Sequence, residues 1–368
     1  MVWGLIVLMV LILVWVWLRG FARLGILDRP WADIVRKRNP VPTIQWIVMY
    51  AIFVFLVAAF FPHWWQLALF QWLFAGISVI VLVTTIDEYF YIKGKKDLPA
   101  WIRLLAQLLA AFLAIGIGGL AMDEWVFQGM IFDIPFVVFV WFFLVWSLLC
   151  INAINRFDGV YGQASGVSSI GFLTMVLLIV FVVLPYYTGI STHNAEILYW
   201  VRDVAMLFFV LSLVYTVVEY KPYGLLRDVG TMVFWFALAY LSIVGWAKIG
   251  TLVVALSLVI FDAIWVGLHR IFFLRKNPLK GDYTHLHYRL LWLGWSKGEV
   301  RFFAWWWSLV MMVLMLLQWA DRWSKVIIFV VMALVFFGVN GYLFWVKKLP
   351  CGIQIAGGDG LKVKKSRK

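Results

Sequence analysis

Ile134-Pro-Phe-Val-Val-Phe-Val-Trp-Phe-Phe-Leu-Val-Trp-Ser-Leu-Leu-Cys150 runs without a single charge and then, one residue later, gives way to Asn152-Ala-Ile-Asn-Arg-Phe-Asp-Gly159. An uncharged run close to the roughly 18 residues that cross a bilayer reads as a membrane-spanning helix. The polar knot after it places two amides and a carboxylate at a membrane edge, where polar groups are costly unless paired or wet. Similar apolar runs recur along the 368 residues, of which 65% are hydrophobic and 13% charged. The fold class that follows is all-α: a polytopic integral membrane protein of about eleven transmembrane helices. No polar stretch is long enough to fold a soluble domain, so residues 1–346 read as a single transmembrane domain with short loops and 347–368 as a basic tail.

The predicted spans are Val2–Leu18, Ile44–Phe61, Trp65–Ile86, Trp101–Leu120, Ile134–Cys150, Val167–Leu184, Val204–Val218, Thr231–Trp246, Ile249–Leu268, Phe302–Trp319 and Val326–Val346. The first has no basic residue before it and no small-residue cleavage site after it, so it is expected to be retained. Every second loop then carries the basic residues, and only Arg202, Lys248, Arg322 and Lys325 fall in the other set. By the positive-inside rule the N-terminus lies outside and the C-terminus is cytoplasmic. This topology accounts for the net charge of +13 without nucleic acid as a partner. Cys150 and Cys351 suggest no disulfide framework. Trp64, Trp65, Trp101, Trp200 and Trp323 lie near predicted span ends and read as interfacial anchors. The tail beyond Pro350, rich in Gly and Lys, suits anionic headgroups or simply solvent.

The unusual residues collect in the predicted cytoplasmic loops. The first, Asp28 to Pro42, joins a basic cluster to a Pro-x-Pro turn, which reads either as a topogenic cluster or as a turn holding Lys37 toward a phosphate. The third opens with Asp87-Glu88 at a helix C-terminus, whose dipole repels carboxylates. That placement calls for a compensating cation. Either Lys93, Lys95 and Lys96 supply it, or the pair binds Mg2+, which takes oxygen ligands from carboxylates and substrate phosphates. In the fifth, Asn152, Asn155 and Asp158 follow at i, i+3 spacing on one helix face, fit to hold a sugar or base or to cap the helix. Asp228 in the seventh stands where an N-cap is favoured. In the ninth, His285 and His287 share a side if the chain is extended, and either they are ordinary interfacial histidines or, with Arg289, they bind a phosphate; zinc is less attractive, since no Cys or third His is near.

Taken in order, these segments resemble the polyprenyl-phosphate N-acetylhexosamine-1-phosphate transferase family, also called glycosyltransferase family 4. Asn152-Ala-Ile-Asn-Arg-Phe-Asp-Gly159 is similar to its Asn-x-x-Asn-x-x-Asp-Gly signature, Thr85-Ile-Asp-Glu88 to its acidic-pair loop, and Asp228-Val-Gly230 to its Gly-Asp-x-Gly segment. Val259-Ile-Phe-Asp262, Asn277-Pro278 and Thr284-His-Leu-His-Tyr-Arg289 resemble the end of the fold in the branch that initiates teichoic-acid and O-antigen glycans. Glu88, Tyr91, Tyr161, Arg227 and Tyr288 depart from the family pattern.

The resemblance implies an enzyme of a bacterial cytoplasmic membrane with its active site on the cytoplasmic side. It would move a HexNAc-1-phosphate, expected to be GlcNAc-1-phosphate, from a UDP-sugar to undecaprenyl phosphate and release UMP. It further implies Mg2+, or Mn2+ in its place, held by Asp87, Glu88 and Asp228, with Asp87 and Asp158 as catalytic groups. Asn152, Asn155, Lys37, Lys93, His285, His287 and Arg289 would bind substrate. The implied partners are a UDP-N-acetylhexosamine, undecaprenyl phosphate, the lipid bilayer and a second copy in a homodimer. The alternative, drawn from the departures, is a catalytically silent relative that binds nucleotide-sugar or lipid phosphate and scaffolds glycan enzymes.

Overall fold

The structure, a computed structural model, describes residues 2–24, 27–28, 41–42, 45–92, 98–116, 124–127, 130–187, 192–221, 223–244, 249–275, 284–317 and 322–345. Each predicted span contains a helix. In chain order these are α1 (Val2–Arg23), α2 (Gln45–Phe60), α3 (Ala68–Ile92), α4 (Ala100–Gly116), α5 (Phe136–Phe157), α6 (Gln163–Leu178), α7 (Leu184–Tyr187), α8 (Thr192–Tyr220), α9 (Arg227–Val244), α10 (Ile249–Ala255), α11 (Ser257–His269), α12 (Leu286–Trp292), α13 (Lys297–Leu317) and α14 (Arg322–Trp345). A π turn at Ile179–Val183 carries α6 into α7. A 3-10 turn at Pro62–Gln66 and a second π turn at Arg270–Leu274 accompany the helices, with two short antiparallel pairs: Leu27–Asp28 (β1) with Val41–Pro42 (β2), and Glu124–Phe127 (β3) with Met130–Asp133 (β4).

Among the described residues, seven helices are long and apolar enough to cross a bilayer, and α10 with α11 make an eighth if the bent pair is one span. The remaining three predicted spans are the shorter apolar helices α2, α4 and α9. The chain is thus an all-α, multi-pass membrane protein. Two spans differ from their sequence outlines for local reasons. The helix expected at Val204–Val218 starts at Thr192; its first turns carry Glu196, Arg202 and Asp203, so the apolar run begins later than the helix does. The run Ile249–Leu268 bends by 78° where Leu256 leaves the helical region (φ −99°, ψ 14°).

The centre of the bundle is α9. Val229 to Val244 is buried on every side, packed by α2, α3, α5, α6, α8 and α10. A helix that is apolar all round belongs inside, and its short length does not matter there because neighbouring helices surround it. Indole and hydroxyl groups stitch the packing. Trp235 Nε1 on α9 donates to Ser168 Oγ on α6 at 2.9 Å, Trp146 Nε1 on α5 to Ser242 Oγ on α9 at 3.1 Å, and Tyr240 on α9 to the Leu69 carbonyl at 2.9 Å. Such bonds across helices let a polar atom lie in an apolar interior.

The tryptophan expectation needs correcting. Trp101 and Trp323 are exposed as anchors should be, but Trp64 and Trp200 are buried and meet edge to face at 6.5 Å. Their position near span ends reflects ring packing between α3's lead-in and α8, which offers an aromatic pair more contact than the interface does. Ser168 keeps its own donor bond to Ala164, so Trp235→Phe should cost only about 0.5–1.5 kcal/mol. Trp235→Ala, which empties the site, should cost about 3–5 kcal/mol. Thermal unfolding of the two variants in detergent measures the difference.

Candidate active site

One end of the bundle collects the C-termini of α3, α5 and α8, the N-termini of α4, α6, α9 and α13, and the short α12. Side-chain contacts between these ends, taken in turn, show the gathering. At the end of α3, Asp87 accepts the Leu98 N–H at 2.6 Å and lies 3.3 Å from Arg103 Nη1. It thereby fixes the re-entry of the chain into α4. Glu88, buried beside it, is held by Arg227 at the start of α9: Nε is 3.0 Å from Oε1 and 2.9 Å from Oε2. Two guanidinium groups therefore answer the helix dipole that makes this a poor place for carboxylates. Arg227 adopts φ +57°, a left-handed conformation that costs a non-glycine residue roughly 1–2 kcal/mol.

The polar knot lies on the last turns of α5. Asn152 Nδ2 donates to Gln107 Oε1 on α4 at 2.7 Å and to the Leu148 carbonyl at 2.9 Å, while Gln107 Nε2 lies 3.9 Å from Met232 Sδ on α9. Asn152 is thus a cross-brace as well as a candidate ligand. Asn155 and Asp158 are half-buried, and Asp158 takes the C-cap position. Gly159 then meets the ring of His287 so closely that a Cβ would land inside the van der Waals shell of Nε2 and Cδ2. Only glycine permits that approach, and the signature on α5 is thereby pressed directly against the histidine segment.

His285, in an extended conformation (φ −65°, ψ 153°), is the N-cap of α12, and His287 lies in its first turn. Their rings lie parallel with centroids 5.9 Å apart, and His287 meets Phe157 edge to face at 5.8 Å. The two rings lie side by side, although the segment is the start of a helix and not the extended chain on which the expectation rested. Asp262 on α11 sets the first of them: Oδ2 lies 2.7 Å from His285 Nδ1 and Oδ1 accepts the Leu286 N–H at 2.8 Å. A carboxylate only accepts, so the proton sits on Nδ1 and Nε2 is the face offered onward. Arg289 turns elsewhere, donating to Asn340 on α14 at 2.9 Å and lying over Trp265.

A second buried carboxylate ties the halves together. Glu219, near the end of α8, accepts Ser165 Oγ at 2.8 Å and the Leu226 N–H at 2.9 Å, and the Gly162 N–H also reaches it. It fastens the loop after the polar knot to the loop before Arg227 and Asp228. Arg301 on α13 adds to the clasp, donating to the carbonyls of Tyr161 at 3.1 Å and Tyr220 at 2.8 Å. Glu219 has no place in the sequence reading, and Asp262 enters it only as part of a motif. The available signal was a carboxylate closing or interrupting an apolar run, which in a membrane helix signals a partner elsewhere.

Lys37 and Lys93, and the side chain of Asp228, lie outside the described residues. Among the described residues no three His, Cys, Asp or Glu side chains cluster as a metal site. Asp87 offers oxygens of the kind Mg2+ takes and lies 3.3 Å from Arg103, whereas Arg227 Nε sits against both oxygens of Glu88.

Residues 69–246 match the model of glycosyl transferase family 4, which bears out the resemblance read from the motifs. The matched segment contains Asp87, Glu88, Asn152, Asn155, Asp158 and Asp228 and ends before the histidines. The chain is 25% identical over 237 residues to a probable undecaprenyl-phosphate N-acetylglucosaminyl 1-phosphate transferase of Bacillus subtilis, covering 60% of this chain and 58% of that protein. It is 26% identical over 310 residues to the phospho-N-acetylmuramoyl-pentapeptide-transferase of Latilactobacillus sakei, covering 76% and 85% respectively. The protein of the same name from Lactobacillus johnsonii is 27% identical over 238 residues, covering 62% and 68%.

The contact of Gly159 with His287 sets a test of this architecture. Gly159→Ala should destabilise the protein by about 1–3 kcal/mol through overpacking. His287→Ala should recover part of that loss in the double variant, giving a coupling that thermal unfolding of all four proteins would reveal. Additive effects would mean that the two segments are not in contact.

Proposed function

Because residues 69–246 carry the family 4 transferase sequence, we propose that this protein transfers a HexNAc-1-phosphate, GlcNAc-1-phosphate foremost, from a UDP-sugar to undecaprenyl phosphate. The transfer would open a cell-envelope glycan at a bacterial cytoplasmic membrane. The observation that carries this reading is the convergence of Asp87, the Asn152–Asp158 face and the His285–His287 pair at one end of an apolar bundle. There a water-soluble nucleotide-sugar can meet the headgroup of a membrane lipid.

In the proposed reaction an oxygen of the lipid phosphate attacks the phosphorus that bears the sugar. The bond from that phosphorus to the bridging oxygen breaks, and UMP leaves with the electron pair. A phosphate monoester, with a second pKa of about 6, is already ionised at neutral pH, so the attacking group needs orientation more than deprotonation. Asp87, held at the bilayer edge by Leu98 and Arg103, is suited to orient it. Asn152, Asn155 and Asp158 would hold the nucleotide-sugar, with Asp158 available to take or return a proton. His285 and His287 would contact its phosphates or sugar, and Lys37 and Lys93 would approach from the adjoining loops. Arg289, turned toward α14, would position α12 rather than touch substrate. Mg2+ held by Asp228 and Asp87 would neutralise charge on the diphosphate and on the departing UMP.

A second reading draws support from the Arg227–Glu88 pair, which places a fixed cation on a carboxylate expected to bind metal. On it the protein binds nucleotide-sugar without turnover and serves as a scaffold. Purified protein with undecaprenyl phosphate, Mg2+ and a panel of UDP-sugars should release UMP from at least one of them. Asp87→Asn and Asp228→Asn should lower that rate by about 10²-fold or more. Binding without UMP release across the whole panel supports the scaffold instead, and full activity in both variants contradicts the assignment of residues.

A further inference from the structure

Arg227 is the residue that the local backbone explains least. Its φ of +57° lies in the region that glycine enters freely and arginine does not. Nothing in the start of α9 calls for a long cationic side chain there on conformational grounds. The side chain reaches across to α3, where its Nε lies within 3.0 Å of both oxygens of Glu88. Glu88 is 7% exposed, and a carboxylate so far out of water requires a cation close by.

We propose that the Arg227 guanidinium is the permanent counter-ion of Glu88, and that Glu88 is thereby withheld from divalent cations, leaving this chain to bind its cation through fewer carboxylates. A guanidinium keeps its charge at every accessible pH and, being part of the chain, cannot leave the site as a bound ion can. Glu88 therefore keeps the positive charge of Arg227 beside it whether or not a metal is bound. A guanidinium on both oxygens of a carboxylate also repels a second cation approaching them. Asp87, one residue away, meets the Leu98 N–H at 2.6 Å and Arg103 Nη1 at 3.3 Å, a different arrangement from one guanidinium nitrogen set against both carboxylate oxygens. The inference deepens the transferase reading, on which it rests only for the place where a cation would act. It makes no use of turnover.

The test measures Mn2+ binding to the purified full-length chain in detergent, from the electron paramagnetic resonance signal of free Mn2+. Glu88→Gln leaves the guanidinium uncompensated and should bind Mn2+ no more tightly than the wild type. Arg227→Gly, which also relieves the left-handed backbone, should bind Mn2+ about tenfold more tightly or better, the scale on which even outer partners of a metal site act. Adding Glu88→Gln to Arg227→Gly should abolish the gain. A gain in Glu88→Gln alone, no gain in Arg227→Gly, or a gain that survives in the double variant would overturn the proposal. If Arg227→Gly does not fold, Arg227→Gln takes its place, with the same gain expected and its absence overturning the proposal. A chain that shows these shifts yet releases no UMP upholds the counter-ion and refutes the transferase.

Discussion

The carboxylate of Glu219 joins what the chain separates. Its acceptors engage Ser165, the Gly162 N–H and the Leu226 N–H, so one buried side chain fixes both the loop that follows Asp158 and the loop that delivers Arg227 and Asp228. In an apolar bundle each of those donors would cost about 1–3 kcal/mol if left unpaired, and so they have few alternatives to that partner. The constraint runs in both directions, because a buried carboxylate is itself tolerated only while its donors surround it. The polar end of the molecule is held in place by this mutual requirement rather than by stiffness in the loops.

The same logic repeats around the site. Asp262 orients His285, Gln107 braces Asn152 against α4, and Arg227 neutralises Glu88. Two of these pairings, Gln107 with Asn152 and Arg227 with Glu88, join helices that already pack, α4 with α5 and α3 with α9. Chemistry at such a place needs few freely moving parts. A lipid phosphate that arrives at the bilayer edge and a nucleotide-sugar that arrives from water would meet groups whose positions are set by helix packing, the kind of preorganisation that lowers a barrier by fixed charge and orientation.

Much of this was legible in the sequence because a bilayer imposes a strong period and length on apolar runs. The spans from Val2 to Val346 could be outlined from composition, and the ordered polar segments between them pointed to one face and one family. What could not be read is pairing at a distance. Glu219 looked like the end of an apolar helix, and nothing nearby in sequence announces Ser165 or Leu226. Arg227 stood out as a departure, yet its partner Glu88 lies 139 residues away. Trp64 and Trp200 looked like interfacial anchors because burial by another helix is invisible to a one-dimensional reading. Gly159 entered only as the last residue of the signature, whereas the structure shows that it makes room for His287.

The central claim is that the polar knot on α5 and the histidine segment of α12 form one nucleotide-sugar surface. Photo-crosslinking in native membranes with an azido-uridine UDP-N-acetylglucosamine, followed by peptide mapping, tests it directly. The account predicts label on peptides spanning Asn152–Gln163 and Thr284–Trp292, competed by unlabelled UDP-sugar. Competable label confined to other segments, with both of these unmodified, would contradict it.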